Sequence, residues 1–316
     1  MYQFRIIMTS KIRSVLQLLR IRQYYKNFLI FVAVFFSRKI FYHNLYFDLI
    51  LGFILLCCAS SFNYIINDII DVENDKKHQE KLKKKPLASG ELPMYVAVLL
   101  IIAIVGFIAF SLVFLIPNIS LMVMIIFIIL TGQLYNHFFK KYAFVDILVL
   151  STGYLWRALS GVVIIDATIS AWLFLAIFEI AMFLSIAKRK GDLLYLGKDK
   201  AVEHKKVYDQ YSLKLLEQFH VLIAGSLFMT YSLYLILRVP IFGFTMILQE
   251  FVAIFTIPIS LYLIMRFMYL TTSKPELARK TEKAFFDKGI IISGILLFLI
   301  LFFSFYYDII VGLFGG

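Results

Sequence analysis

Residues 67–75 read Asn-Asp-Ile-Ile-Asp-Val-Glu-Asn-Asp. On a helix Asp68, Asp71 and Asp75 stand at i, i+3 and i+7, which puts three carboxylates on one face. Like charges that close repel one another unless a cation sits among them. Hard carboxylate oxygens suit Mg²⁺, an ion that completes its shell with waters and substrate phosphates. The spacing therefore predicts a magnesium site, with Asp68, Asp71 and Asp75 as ligands, that receives a diphosphate. Asn67 and Asn63 carry a polar line four and eight residues upstream of Asp71. The competing reading is a solvated acidic loop answering the lysines that follow. Asn63 argues against it, because an amide deep in an apolar run is costly without partners.

Cations gather around this motif. Lys81, Lys83, Lys84 and Lys85 precede Pro86, and the stretch closes on Ala88-Ser89-Gly90. Ammonium groups can hold phosphate oxygens that a metal does not reach, and Lys81 and Lys85 are the candidates. Topology control accounts for the other lysines. A second cluster contains Tyr135, Asn136, Lys140, Asp146 and Arg157. Asp146 and Arg157 lie eleven residues apart, close to three helical turns, and so share a helix face. An arginine inside an apolar span either contacts substrate or forms a structural pair, here with Asp146 or Glu179. A third cluster, Lys188-Arg189-Lys190, ends an apolar run. Helix C-termini attract cations in any case; the functional alternative is a second anion site facing the acidic motif. Arg22 and Lys26, at i and i+4, offer further phosphate contacts.

The elements that must position these residues are apolar. Of 316 residues 61% are hydrophobic and 16% charged, with 33 Phe and 19 Tyr. A soluble domain could not bury that much apolar surface. Soluble enzymes, nucleic-acid-binding domains and disordered chains are excluded. The chain reads as an all-α polytopic membrane protein. A bilayer core takes about 20 apolar residues per helix. That length marks nine spans, near 27–43, 46–66, 93–116, 118–138, 144–165, 170–188, 214–237, 246–270 and 285–311. Short breaks between them imply one bundle of antiparallel neighbours. Residues 1–26 form an N-terminal arm, with an interfacial helix over 11–26, and 27–316 form the transmembrane domain. Cytoplasmic loops fall near 67–92, 189–213 and 271–284. Cys57 and Cys58, adjacent in an apolar run, read as packing residues. The first apolar stretch follows six basic residues without a small-residue cleavage site, so no signal peptide is expected.

The net charge of +12 is unevenly placed. The N-terminal arm, the loop after Asp75, Lys140-Lys141 and the two later loops carry nearly all the Lys and Arg. The opposite side holds little beyond Arg38, Lys39 and Arg238. The positive-inside rule puts the N-terminus and the candidate site at the cytoplasmic face of the cell membrane, and an odd span count leaves the C-terminus outside.

The Asn67–Asp75 stretch followed by Lys85-Pro86-Leu87-Ala88-Ser89-Gly90 resembles the NDxxDxxxD signature of the UbiA superfamily of intramembrane prenyltransferases. Three features are similar to its decaprenyl-phosphate phosphoribosyltransferase branch. These are Arg20-Ile21-Arg22-Gln23-Tyr24-Tyr25-Lys26-Asn27, the set Tyr135, Lys140 and Asp146 with Tyr154–Gly161, and Lys188-Arg189 where classical members carry a second acidic motif. Ile21, Tyr24 and Gln79 depart from the branch's usual Pro, Trp and Pro. The resemblance implies nine helices around a central cavity, Mg²⁺ on the three aspartates, and substrate contacts from the residues named above. Its implied substrates are 5-phosphoribosyl diphosphate and a polyprenyl phosphate held among membrane lipids; no nucleic acid is involved. A homo-oligomer is compatible with the sequence. The rival within the family moves a prenyl group to a small acceptor. A transporter is disfavoured because polarity concentrates at one rim and no repeat is visible.

Overall fold

An apolar run in a membrane has no water to bond its backbone, and a helix satisfies those groups within one segment. The computed structural model describes residues 11–77, 82, 84–168, 170–238, 248–279 and 281–314. Among these residues every regular element is helical, and eight helices are long and apolar enough to cross a bilayer. They are α1 (Tyr46–Ile70), α2 (Met94–Phe110), α3 (Ile119–His137), α4 (Val145–Ile164), α5 (Ala171–Leu196), α6 (Leu213–Arg238), α7 (Thr256–Ser273) and α8 (Lys288–Phe314). The protein is an all-α, multi-pass membrane protein. Its helices present surfaces that water would not tolerate: α2 alone exposes Val98, Leu99, Ile102 and Val105.

The stretch expected to span first, 27–43, folds differently. Ile21–Phe31 is a 3-10 helix and Val32–Phe36 continues it as α-helix. At 2.0 Å per 3-10 residue and 1.5 Å per α residue the run reaches about 30 Å, the depth of a bilayer core. Three residues per turn align every third side chain in a straight row. Asn27 and Ile30 are buried and Tyr24 bonds Ser61 of α1, whereas Arg22, Tyr25 and Phe28 form an exposed row. Before this run, residues 11–18 form a helix with Ser14 and Leu18 buried. Ser14 Oγ donates to Glu91 Oε2 at 2.6 Å and Gln17 Nε2 to the Lys84 carbonyl at 2.8 Å, tying that helix to the loop after the acidic motif.

The chain forms two compact units. The first runs to His137 and includes Trp156–Thr168; the second comprises Phe138–Leu155 and the residues from Ile169 on. Helix α4 is thus shared, Asp146 counting with the second unit and Arg157 with the first. In the first unit α1 packs against α2, α3 and the 3-10 run. Asn63 of α1 donates to the Ile128 carbonyl (3.0 Å) and accepts from Gln133 Nε2 (2.7 Å), in space that Gly132 leaves open. The buried amide expected to extend the candidate site is therefore a strut between helices. In the second unit Ile147, Ile186, Leu193, Ala201, Val207, Tyr208, Tyr211 and Leu216 form a core that holds the 198–211 loop against α4, α5 and α6.

Candidate active site

Helix α1 ends at Ile70, and Asp71 (φ −85°, ψ 1°) joins it to the short helix Val72–Asp75. The step is shallow. The Asp71 N–H donates to the Asn67 carbonyl (2.9 Å) and the Asp75 N–H to the Asp71 carbonyl (2.8 Å), so helical spacing survives the junction. Asp68 and Asp75 are only 3% and 1% exposed, and Asp71 is half-buried. Arg20 Nη2 donates to Asp68 Oδ1 at 2.8 Å. Lys85 Nζ lies 3.1 Å from that same oxygen and also bonds Asp75 Oδ2. The three carboxylates and two cations sum to one negative charge. Arg20 stacks its guanidinium 4.5 Å from the Tyr64 ring and takes φ 54°, a left-handed conformation that costs a non-glycine residue about 1–2 kcal/mol.

The donor set fits a hard divalent cation. A lysine ammonium between two buried carboxylates stands where such an ion would be held, and every donor is oxygen. Among the described residues no three acidic, His or Cys side chains converge closely enough to hold a metal by themselves. Magnesium takes one or two carboxylates and fills the rest of its shell with phosphate and water oxygens.

The second unit carries a separate charged cluster. Asp146, in the first turn of α4, is fully buried. Arg189 Nε and Nη2 donate to its Oδ2 at 2.9 and 2.7 Å, and the Tyr211 hydroxyl donates to its Oδ1 at 2.6 Å. Asp192 accepts from the Tyr208 hydroxyl (2.5 Å) and Arg279 Nε (3.1 Å). Lys190 Nζ donates to Thr272 Oγ1 (3.1 Å) and pairs with Glu217 (3.2 Å). Burial pushes the Tyr208 and Tyr211 hydroxyls above their usual range, and for Tyr211 the bonded Asp146 adds to the shift. Both remain protonated donors at neutral pH. Formally Lys188, Arg189, Lys190, Lys205 and Arg279 stand against Asp146, Asp192 and Glu217, five cations to three carboxylates.

The model of the UbiA prenyltransferase family matches residues 28–289. The chain belongs to this family. Among curated UbiA-like relatives, the decaprenyl-phosphate phosphoribosyltransferase of Corynebacterium glutamicum is 27% identical over 224 residues, covering 70% of this chain and 67% of that protein. Its Mycobacterium tuberculosis H37Rv counterpart is 28% identical over 228 residues, covering 71% and 74%. A solved UbiA homolog from Archaeoglobus fulgidus, bound to DMAPP and Mg²⁺, has a TM-score of 0.63 at 17% identity and covers 92% of this chain and 97% of its own. The same homolog bound to GPP and Mg²⁺ gives 0.58 at 16% identity, covering 92% and 98%. The likeness in fold extends over nearly the whole chain.

In this UbiA protein the structure gathers Asp68, Asp75 and Lys85 in one cluster and Asp146 with Arg189 in the other. Asn67 is half-buried and accepts the Asp71 amide. Arg157 donates from Nε to Asn27 Oδ1 (2.7 Å) and from Nη2 to Ser60 Oγ (3.1 Å), while Glu179 bonds Ser226. Lys26 donates to Gln23 Oε1 (3.0 Å), which also accepts from Tyr64. Arg22 is exposed. An α-helical register would stack Arg22 on Lys26; the 3-10 winding pairs Lys26 with Gln23 instead. Tyr135 and Lys140 are half-buried, at the ends of α3 and of the turn that follows it, and Lys188 is exposed. Lys81 lies outside the described residues. Sequence reasoning passed over Arg20, Tyr208, Tyr211, Lys205 and Arg279 as site residues. Arg20 opens the very motif that named Arg22, but only the fold brings it to Asp68, 48 residues away.

Proposed function

We propose that this UbiA-family protein transfers the phosphoribosyl group of 5-phosphoribosyl diphosphate to a polyprenyl phosphate, releasing diphosphate. The observation that carries the reading is the charge of the second cluster. A prenyl transferase of the classical kind carries a second acidic motif at this point of the chain. Here the end of α5 reads Lys188-Arg189-Lys190, and the carboxylate of Asp192 is taken by Tyr208 and Arg279. The relatives' phosphoribosyltransferase names support the same choice.

Asp68, Asp71 and Asp75 would hold Mg²⁺, which neutralises charge on a bound diphosphate and on the departing one. Arg20 and Lys85, released from their carboxylates, would bond diphosphate oxygens, with Asn67 next to Asp68 and Lys81 four residues before Lys85 in sequence. The acceptor phosphate is already an anion and needs no general base. Its oxygen attacks the anomeric carbon, and the bond from that carbon to diphosphate oxygen breaks, its electron pair leaving with diphosphate. Two anions must meet for this reaction, and the remaining cations, Arg22, Lys26, Lys140, Arg157, Lys188 and Arg189, with Tyr135 and Asp146, supply the means to hold them. We place the site at the cytoplasmic face of the cell membrane, where the Lys and Arg excess lies.

The test incubates membranes with labelled 5-phosphoribosyl diphosphate and polyprenyl phosphate. Label should enter the lipid phase only with acceptor and Mg²⁺, and should fall on the order of a hundredfold in Asp75→Asn. Transfer of a prenyl group from prenyl diphosphate to an aromatic acceptor, with no lipid-soluble ribose, would replace this reading by the classical one.

A further inference from the structure

An arginine stands inside α7, two turns before its end at Ser273, and pairs with the aspartate that precedes α8. Arg266 Nε and Nη2 donate to Asp287 Oδ1 and Oδ2, each at 3.0 Å, and Oδ1 also accepts the Gly289 N–H at 3.0 Å. Among the described residues the third guanidinium nitrogen, Nη1, has no hydrogen bond, and neither has the Tyr262 hydroxyl. Tyr262 and Arg266 are one turn apart on one face of α7, and both reach Gly289. A β-carbon built on that glycine would lie 2.8 Å from the Tyr262 hydroxyl oxygen and 3.3 Å from Arg266 Nε. Lys288 is exposed beside them. Arg266, Lys288 and Asp287 sum to one positive charge.

Next to this group lies a groove of about 430 Å³, open on one side, between Pro258, Ile259 and Tyr262 of α7 and Ile292, Ser293 and Leu296 of α8. Its walls are apolar, for the Ser293 hydroxyl is turned onto the Gly289 carbonyl (2.5 Å). Ile292 and Leu296 remain exposed along it. From Gly289 to Leu296 it follows α8 for about 10 Å at 1.5 Å per residue. That is about two-thirds of one leaflet's share of the hydrocarbon core. Cationic donors at one end of an apolar groove are the complement of a lipid, with a phosphate at the donors and a chain along the walls.

We propose that this groove between α7 and α8 binds one acidic phospholipid of the bilayer. Arg266 Nη1, the Tyr262 hydroxyl and the Lys288 ammonium receive its phosphodiester, and one acyl chain lies along Ile259 and Leu296. Charge selects the occupant. The single excess positive charge matches a phosphodiester with one negative charge, whereas a phosphomonoester dianion would be half compensated. Asp287 serves the site by fixing the guanidinium through two parallel bonds. Tyr269, with its ring 5.6 Å from that guanidinium, is exposed, as tyrosines at headgroup depth are. The site shares no residue with either charged cluster and does not depend on which group the protein transfers.

Delipidated protein in detergent is titrated with phosphatidylglycerol, with phosphatidylcholine of the same chains and with polyprenyl phosphate, and bound lipid is counted by native mass spectrometry. One phosphatidylglycerol should bind, about fivefold more tightly than phosphatidylcholine. Lys288→Gln should weaken it about fivefold and Tyr262→Phe about tenfold. Ser293→Leu, which fills the groove, should weaken it about tenfold. Lys214→Gln removes an exposed charge at the start of α6 and should leave the affinity within about twofold. Melting temperatures identify any misfolded variant; Lys288→Gln and Tyr262→Phe, which alter exposed side chains, decide the matter if Ser293→Leu fails to fold. No saturable phosphatidylglycerol, equal affinity for phosphatidylcholine, or an affinity unmoved by Lys288→Gln and Tyr262→Phe would overturn the proposal. Tighter binding of polyprenyl phosphate, lost in the same variants, would also overturn it and assign the groove to that lipid.

Discussion

Lys188 and Arg189 are neighbours in sequence with opposite surroundings: one side chain is exposed, the other 2% exposed and bonded twice to a buried carboxylate. Reading them as one basic pair was all that sequence allowed, because the helix turn that separates their faces means nothing until Asp146 is placed. Arg189→Met would leave Asp146 buried with Tyr211 alone, and removing one partner of a buried pair costs about 3–5 kcal/mol. We expect this variant to unfold at clearly lower temperature in detergent. Lys188→Met should unfold like the parent protein yet raise KM for a phosphate-bearing substrate about tenfold. Equal thermal stability of the two variants would show that the Asp146 pair carries no weight. Lys205 adds a pH signature. Unfolded, it holds its proton to about 10.5, but folded only to about 7, so between these values the unfolded state binds more protons. Stability therefore rises as pH climbs from about 7 to about 10.5, and below 7 the repulsion from Arg189 is felt in full. Denaturation midpoints of Lys205→Met across that range should lose this rise.

At the scale of elements, the helices α1 to α8 were legible because each carries a predominantly apolar run of about bilayer length. The acidic motif was legible for a related reason: its spacing survives the shallow step at Asp71. What escaped was tertiary. The 3-10 winding of Ile21–Phe31 follows from contacts with α1, not from its own composition, and the role of Asn63 depends on a glycine 69 residues away. Gly161 shows how tight such contacts are, for a β-carbon added there would fall on the Ile30 carbonyl oxygen. Neither backbone can yield without parting α4 from the 3-10 run. Gly161→Ala should therefore cost about 1–3 kcal/mol, the usual penalty of overpacking. Gly225→Ala, in open space on α6, should be neutral or slightly stabilising. Comparable melting temperatures for the two, measured by size-exclusion after heating, would refute the close approach.

For the whole molecule the distribution of charge is the informative quantity. The loops after α1, α3, α5 and α7 carry Lys and Arg in excess, and those after α2, α4 and α6 carry almost none, the alternation expected of successive membrane crossings. If residues 21–36 also cross the bilayer, the two chain ends lie on opposite sides. A reporter active only in the cytoplasm, fused at the N-terminus, should then be active, as should the same reporter inserted in the loop after α5. A silent N-terminal fusion beside an active α5-loop insertion would place the first run within one leaflet instead.

The winding of that run has a mechanical corollary. Eleven residues rewound from 3-10 to α-helix shorten by about 5 Å, at 0.5 Å per residue, and their straight rows become spirals. Asn27, held by Ser60, Cys57 and Arg157, is the pin that keeps the segment drawn out. If the segment recoils, Arg20 at its leading end should be drawn away from Asp68, which would couple Asn27 to the carboxylates near the end of α1. Spin labels introduced as non-natural residues at Ile12 and Phe41 measure it directly: Asn27→Leu should bring them about 5 Å closer, and an unaltered distance would mean the extended winding holds without its pin.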